Sequence, residues 1–199
     1  MVGRHLLIAI EGVDGVGKTT VAKAIAEKLN AVYIKTPAWS FLRKVAFFVE
    51  KLRSRELEAT SYFFLAFISS LYFCVLQTKR HVVCDKYILT TVVDQTVLGS
   101  RVARFLKRLR YIIVRKPDFT FCLIVRNESA LRGRLQQKER IDHNDLVIVP
   151  LWEEIQGEYR RFREVEVIDT TCMSANETIA VLLDRILSRD ISIKEPMVL

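Results

Sequence analysis

Ten residues near the N-terminus, Glu11-Gly-Val-Asp-Gly-Val-Gly-Lys-Thr-Thr20, constrain this chain more than any other stretch. They follow the apolar run Leu6 to Ile10 and lead into an alanine-rich helical pattern, so a strand, a glycine turn and a helix occur in that order. Within them Gly12 to Thr19 spells GxxxxGKT. Glycines let successive backbone N–H groups turn inward on phosphate oxygens, and a helix N-terminus adds its positive end. The loop Gly12-Val13-Asp14-Gly15-Val16-Gly17-Lys18-Thr19, with Thr20, is therefore predicted to cradle the phosphates of a nucleoside triphosphate. Lys18 is expected to reach the transferable phosphates and the Thr19 hydroxyl to ligate Mg²⁺. A glycine turn that binds nothing is the alternative, and the flanking strand and helix weigh against it.

Short apolar runs recur at Leu6 to Ile10, Ala31 to Lys35, Val82 to Cys84, Phe119 to Val125 and Val165 to Ile168. Each is too short for a helix and leads into polar residues, as buried parallel strands do. Helical patterns lie between them, at Thr19 to Leu29, Phe41 to Leu52, Ser61 to Gln77, Thr91 to Leu98, Arg101 to Leu109, Leu151 to Phe162 and Asn176 to Leu187. The alternation predicts an α/β fold with a mainly parallel sheet of about five strands and helices on both faces. With 199 residues, half of them hydrophobic, the chain is expected to form a single domain spanning 1–199, with a loosely attached tail at 191–199.

Lys and Arg outnumber Asp and Glu by 31 to 23, a net charge of +8 that points toward anionic partners without choosing among nucleotides, nucleic acids and membranes. Basic residues gather at Arg101, Arg104, Lys107, Arg108, Arg110, Arg115 and Lys116, but only Phe105 and Tyr111 interleave them. A solvated surface therefore ranks above a nucleic-acid site. The four cysteines are scattered and apolar in setting, which predicts neither zinc nor disulfides. No secretory cleavage pattern follows Met1, so a cytoplasmic location is the expectation. Tyr62 to Leu76 is the most apolar stretch, shorter than the roughly 20 residues a spanning helix needs. It reads as a buried helix and predicts no membrane association, while its all-round apolarity predicts a homodimer through helix 61–77.

His81-Val-Val-Cys-Asp85 is an apolar strand ending in an acid. If that strand neighbours the first, Asp85 stands beside the phosphate loop and holds Mg²⁺ or its water. An Asp that caps the turn after a strand is the plainer alternative. The guanine-reading tetrapeptide of GTPases does not occur, and Lys86 follows Asp85 where a helicase would have Glu.

The loop at 11 to 20, Asp85-Lys-Tyr87, Gln95, Pro117-Asp118 before a strand, Glu139-Arg-Ile-Asp142 and the final Ile168-Asp169 before a helix occur in one order. Together they resemble the thymidylate kinase family over residues 6 to about 187. The resemblance implies a three-layer P-loop NTPase fold and an enzyme that moves the γ-phosphate of ATP, with Mg²⁺, to dTMP. It also implies that Asp14 binds the acceptor's sugar hydroxyl and that Lys86, in the place of an arginine, neutralises the acceptor phosphate as a point charge. Some members carry a catalytic Arg inside the loop and others in a lid. Gly15 follows Asp14 here, so the catalytic Arg is expected from a lid at about 127–143, among Arg132, Arg134 and Arg140, with a solvated basic helix face as the alternative for any one of these charges.

Several positions depart from that pattern. Lys35-Thr-Pro-Ala-Trp39 replaces an Arg-Glu-Pro-Gly-Gly segment, and Arg43 is the candidate to match the Arg that follows it and faces the acceptor. The helix before Asp85 lacks the Arg that reads thymine, since Phe67-Ile-Ser-Ser-Leu71 stands there. Thr90 and Gln95 keep a hydroxyl and an amide for the acceptor, whereas Asp94 stands where an aromatic is usual and would accept hydrogen bonds from hydroxyls. The rival expectations are a related kinase with another nucleotide or a nucleoside as acceptor, and a nucleotide-binding protein without kinase activity.

Overall fold

A computed structural model of the chain describes residues 5–38, 44, 54–136 and 149–189. Five strands, β1 (Leu7–Glu11), β2 (Val32–Lys35), β3 (Val82–Asp85), β4 (Phe119–Ile124) and β5 (Glu166–Asp169), form one sheet in the order β2-β3-β1-β4-β5. Every pairing is parallel. All residues of β1, β3 and β4 are buried, which is why these strands read as continuous apolar runs rather than alternating ones. The described helices are α1 (Lys18–Lys28), α2 (Arg55–Leu76), α3 (Ile88–Val97), α4 (Arg101–Ile113), α5 (Glu128–Gln136), α6 (Trp152–Tyr159) and α7 (Ala175–Arg189).

This topology places the functional end of the molecule. The strand after β1 in sequence, β2, is not its neighbour; β3 and β4 flank it instead, so the chain leaves β1 at the point where the connections diverge to either side. Ligands of open parallel sheets bind in that crevice, at the carboxyl ends of the strands. Ile10 pairs with Asp85, which puts the carboxylate beside the start of the phosphate loop. Pro117-Asp118 sets the opposite end, where the Leu7 amide donates to Asp118 Oδ2 at 2.8 Å and the Asp118 amide to the Leu7 carbonyl at 2.8 Å.

The apolar helix departs furthest from the sequence expectation. It begins at Arg55 rather than Ser61 and runs 22 residues, so it is not too short to cross a bilayer; among the described residues it is the one helix long and apolar enough to do so. Its charged first turn is helical because Glu56 has partners there. The Glu56 carboxylate accepts from the Ser100 hydroxyl (2.6 Å) and the amides of Arg101 (2.9 Å) and Val102 (3.0 Å), capping α4. One side of α2 packs on α3 and α4. Leu57, Phe64, Leu71 and Val75 remain more than half exposed on the other.

The first part of the segment expected to be a lid is helical, as α5. Leu131 and Leu135 press it onto the phosphate loop. Arg43, Arg140, the expected helix at Phe41 to Leu52 apart from Lys44, the rest of the lid to 143 and the tail from Ile191 lie outside the described residues. Of the basic cluster, Lys107 is tied to Glu158 and Arg110 to Glu164. All four cysteines are free thiols, Cys84 and Cys122 buried and Cys74 and Cys172 exposed.

Candidate active site

Two glycines decide how the loop lies. Gly12 has φ +129°, and a Cβ there would stand 2.4 Å from the Leu123 carbonyl oxygen, so the loop leaves β1 pressed against the backbone of β4. Gly15 has φ +89°, and a Cβ would stand 2.7 Å from Leu135 Cγ. No arginine can occupy position 15 while α5 packs here. Lys18, at the first position of α1, is 4% exposed and curls over the loop, donating to the Val13 carbonyl (2.7 Å) and to Asp14 Oδ1 (3.2 Å).

Across the loop, Asp85 is fully buried. Its Oδ2 accepts from the Thr19 hydroxyl at 2.5 Å and from Tyr33 Oη at 3.2 Å, and its Oδ1 has no hydrogen-bond partner. An unpaired buried carboxylate oxygen normally marks a missing partner. A hydroxyl and a carboxylate with lone pairs to spare form a hard oxygen donor set of the kind that holds Mg²⁺ through few protein ligands. The residues thus fit that ion.

Lys86 follows Asp85 with φ +66°, fixed by its amide on the Ile10 carbonyl (3.0 Å) and by the Thr36 hydroxyl on its own carbonyl (2.7 Å). Its Nζ reaches the Asp14 carboxylate at 2.9 Å. Asp14 therefore bridges Lys18, within the phosphate loop, and Lys86, next to Asp85. Burial works against the charged form of Lys86, but the Asp14 carboxylate, backed by Asp94 and Asp85, outweighs it and raises the pKa.

Asp94, one turn beyond Thr90 on α3, is half-buried. Burial, with Asp14 and Glu11 adding to it against Lys86 and Lys18, lifts its carboxyl to about 7. Thr90 is committed within the fold: its hydroxyl donates to Glu11 Oε2 and accepts from Tyr159 Oη (3.1 Å), and its amide also donates to Glu11 Oε2 (3.1 Å). Glu11 is fully buried, and burial raises its pKa in spite of these donors. Gln95 turns toward α2 and donates from Nε2 to Glu58 Oε1 at 2.9 Å.

A cavity of about 430 Å³ opens over the loop, lined by Lys18, Thr19, Asp85, Lys86 and Arg134 and, from the β5 side, by Thr170, Met173, Ala175 and Thr178. Arg134 is docked there, its guanidinium donating to the Val16 carbonyl (3.3 Å), the Thr170 hydroxyl (2.8 Å) and the Thr170 carbonyl (2.5 Å). Arg132 instead lies on the exposed face of α5 in an ion pair with Glu128 at 2.6 Å.

The structure therefore gathers the loop, Asp85, Lys86 and Arg134 at one cleft and leaves Arg132 outside it. Glu11, Tyr33, Glu58, Tyr159 and the Thr170 to Thr178 wall were not singled out from sequence. Glu11 could have been, because it lies inside the loop motif. The others come from distant elements and carry no local signal.

A family profile described as thymidylate kinase matches residues 10–186. A probable thymidylate kinase of Methanocaldococcus jannaschii is 31% identical over 183 residues, covering 87% of this chain and 91% of its own length. That of Archaeoglobus fulgidus is 33% identical over 159 residues, covering 69% of this chain and 76% of its own. Among solved structures, a thymidylate kinase from Candida albicans superposes with a TM-score of 0.73 over 96% of this chain and 94% of its own, at 15% identity, a likeness of fold.

Proposed function

This chain belongs to the thymidylate kinase family, and from that premise we propose that its cleft passes the γ-phosphoryl group of Mg·ATP to the phosphate of dTMP. Family members are ATP-dependent phosphotransferases acting on a nucleoside monophosphate. The observation that carries the reading is the Lys18–Asp14–Lys86 chain, in which one carboxylate separates a cation at the triphosphate loop from a cation beside Asp85. Two phosphates that must meet, each strongly anionic, need a cation on either side and a fixed distance between them.

In this reading the loop amides and Lys18 bind the β- and γ-phosphates, and the wall of Thr170, Met173, Ala175 and Thr178 takes the donor base. Thr19 and Asp85 would hold Mg²⁺, which would supply positive charge against the negative charge that develops during transfer. Lys86 holds the acceptor phosphate and Asp14 the acceptor sugar. The Glu11–Thr90–Tyr159 network ties α3 and α6 to the loop and so fixes the distance between acceptor and donor. Arg134 closes the cleft from α5. Coupled detection of ADP release with ATP and Mg²⁺, run over dTMP, dUMP, UMP, CMP and GMP, tests the assignment. Turnover of dTMP is expected, and turnover only of a nucleoside or another alcohol would sink it.

Asp94 gives a pH prediction. With its carboxyl at about 7, it is neutral in mild acid and charged in mild base. The charged form repels an incoming phosphate, so the KM for the acceptor should rise as pH passes upward through about 7. The Asp94→Asn variant should lose that rise. The sign for stability agrees: between the ordinary 3.8 and about 7 the folded state holds the extra proton, so this group makes stability fall with rising pH. Parallel acceptor-KM profiles in the two proteins would contradict this role.

The exposed stripe on α2 supports a homodimer. Leu57, Phe64, Leu71 and Val75 recur on one face at spacings of seven, seven and four, and apolar patches of that kind mark contact surfaces. Sedimentation equilibrium should report a dimer that Phe64→Asp converts to monomer. A wild-type chain that stays monomeric across concentration would remove the proposal.

A further inference from the structure

The Asp85 carboxylate is held at one oxygen and left open at the other. Thr19 Oγ1 donates to Oδ2 at 2.5 Å and Tyr33 Oη donates to the same oxygen at 3.2 Å, while Oδ1 has no hydrogen-bond partner. Thr19 and Asp85 are the groups that fit the cation, and Tyr33 stands behind them on the edge strand β2. We propose that Tyr33 is a positioning residue for the metal site, its hydroxyl fixing the orientation of the Asp85 carboxylate so that Oδ1 is kept for a divalent cation.

One donor does not suffice for this. The terminal torsion of an aspartate is broad, and a single hydrogen bond from Thr19 leaves the carboxylate free to turn about it. A second donor on the same oxygen, coming from a different element, stops that turn. Thr19 keeps its own lone pairs for the cation while its proton goes to Oδ2. Asp85 is fully buried, which keeps bulk water from standing in for a lost donor.

The phenol is itself held in place. β2 pairs with β3 in a register that sets Tyr33 opposite Val83 and Lys35 opposite Asp85, and the Thr36 amide donates to the Asp85 carbonyl at 3.1 Å. One turn after Thr19 on α1, Lys23 sets its ammonium 5.7 Å from the centre of the Tyr33 ring. The strand that neighbours Asp85 and the helix that carries Thr19 thus fix the ring from both sides. Groups behind a ligating side chain orient it for the metal, and losing one typically costs about 10- to 100-fold in metal affinity. An aromatic that only packs on an edge strand is the plainer account, and the hydroxyl separates the two. The inference rests on the reading of Thr19 and Asp85 as the Mg²⁺ site and needs nothing from the acceptor.

The test measures binding of a non-hydrolysable ATP analogue by calorimetry, with and without Mg²⁺, in the wild type and in Tyr33→Phe. Phenylalanine keeps the ring and its place beside Lys23 and removes only the hydroxyl. In the wild type Mg²⁺ should tighten binding by more than about tenfold, and in Tyr33→Phe most of that gain should be lost. The metal-free affinity and the thermal melt should not move. A merely structural role would weaken binding with and without the metal together and lower the melt. Asp85→Asn is the second arm, and it should lose the gain alone as fully as when combined with Tyr33→Phe, because Tyr33 acts through Asp85. A gain kept whole in Tyr33→Phe, or a Tyr33→Phe loss that persists in the Asp85→Asn background, would overturn the proposal. A wild type indifferent to Mg²⁺ would overturn it together with the metal reading beneath it. A protein that shows the gain and its loss but phosphorylates no nucleotide would support Tyr33 in this role and refute only the acceptor.

Discussion

Replacing Lys18 by Ala should leave a folded protein whose phosphoryl transfer has fallen at least about a thousandfold. The fold should survive because Lys18 bonds only to the Val13 carbonyl and to Asp14, and Asp14 keeps its second cation, Lys86, at 2.9 Å. ATP should still bind, since the loop amides and the N-terminus of α1 remain to hold its phosphates. What is lost is the flexible cation at the phosphate loop that can follow charge as it moves from one phosphate to the other. The decrease should therefore lie in kcat, with a smaller change in the KM for ATP and an unshifted thermal melt. Lys18→Arg should not restore the rate. The compact ammonium sits 2.7 Å from the Val13 carbonyl, a geometry that a planar guanidinium does not reproduce. A folded Lys18→Ala enzyme that keeps near-normal turnover would end the kinase reading.

The parts legible in the sequence were those whose chemistry is local. The phosphate loop needs its glycines, lysine and threonine within ten consecutive residues, and it lies where the sequence puts it, at the end of β1. The central strands β1, β3 and β4 are recognisable because strands covered on both faces are apolar almost throughout, and the edge strands β2 and β5 show as shorter runs around Ile34 and Ile168. Asp85 could be assigned from its place at a strand end, and the pairing of Ile10 with Asp85 explains why that inference works.

What could not be read depends on contacts between distant elements. The helical pattern is read from Ser61, after the charged Arg55, Glu56 and Glu58, yet Glu56 caps α4 and Glu58 meets Gln95, 37 residues away in sequence. Thr90 and Gln95 read as groups free to meet an acceptor, but the Thr90 hydroxyl is shared between Glu11 and Tyr159 and half of the Gln95 amide belongs to Glu58. Tyr33 on Asp85 had no signal at all, since an aromatic in an edge strand ordinarily means packing. The basic segment after β4 is expected as a lid from the family resemblance, with a solvated helix face as its alternative. Two leucines, Leu131 and Leu135, make its first part a helix resting on Gly15.

That packing sharpens the expectation for catalysis. Gly15 cannot carry an arginine without striking Leu135, so charge on the transferring group must be stabilised from elsewhere, and α5 offers two arginines of different standing. Arg134 lines the cleft together with Lys18 and touches the loop at the Val16 carbonyl and the β5 side at Thr170, which makes it the α5 arginine placed to meet a phosphate there. Arg132 is exposed and spent on Glu128 one turn away, and exposed pairs of this kind contribute little. Arg134→Ala should therefore lower kcat by about 10³ to 10⁵, while Arg132→Ala should stay within about twofold. Arg134→Lys should recover little, because a point charge replaces a fork that meets two Thr170 oxygens at once. Arg134 also holds the β5 loop, so the melt and the KM for ATP must be measured beside kcat. A fall confined to KM, with kcat intact, would make it a donor-binding group only. In that event Arg140 is the remaining candidate, and mild effects from all three substitutions would refute catalysis by a lid arginine in this chain.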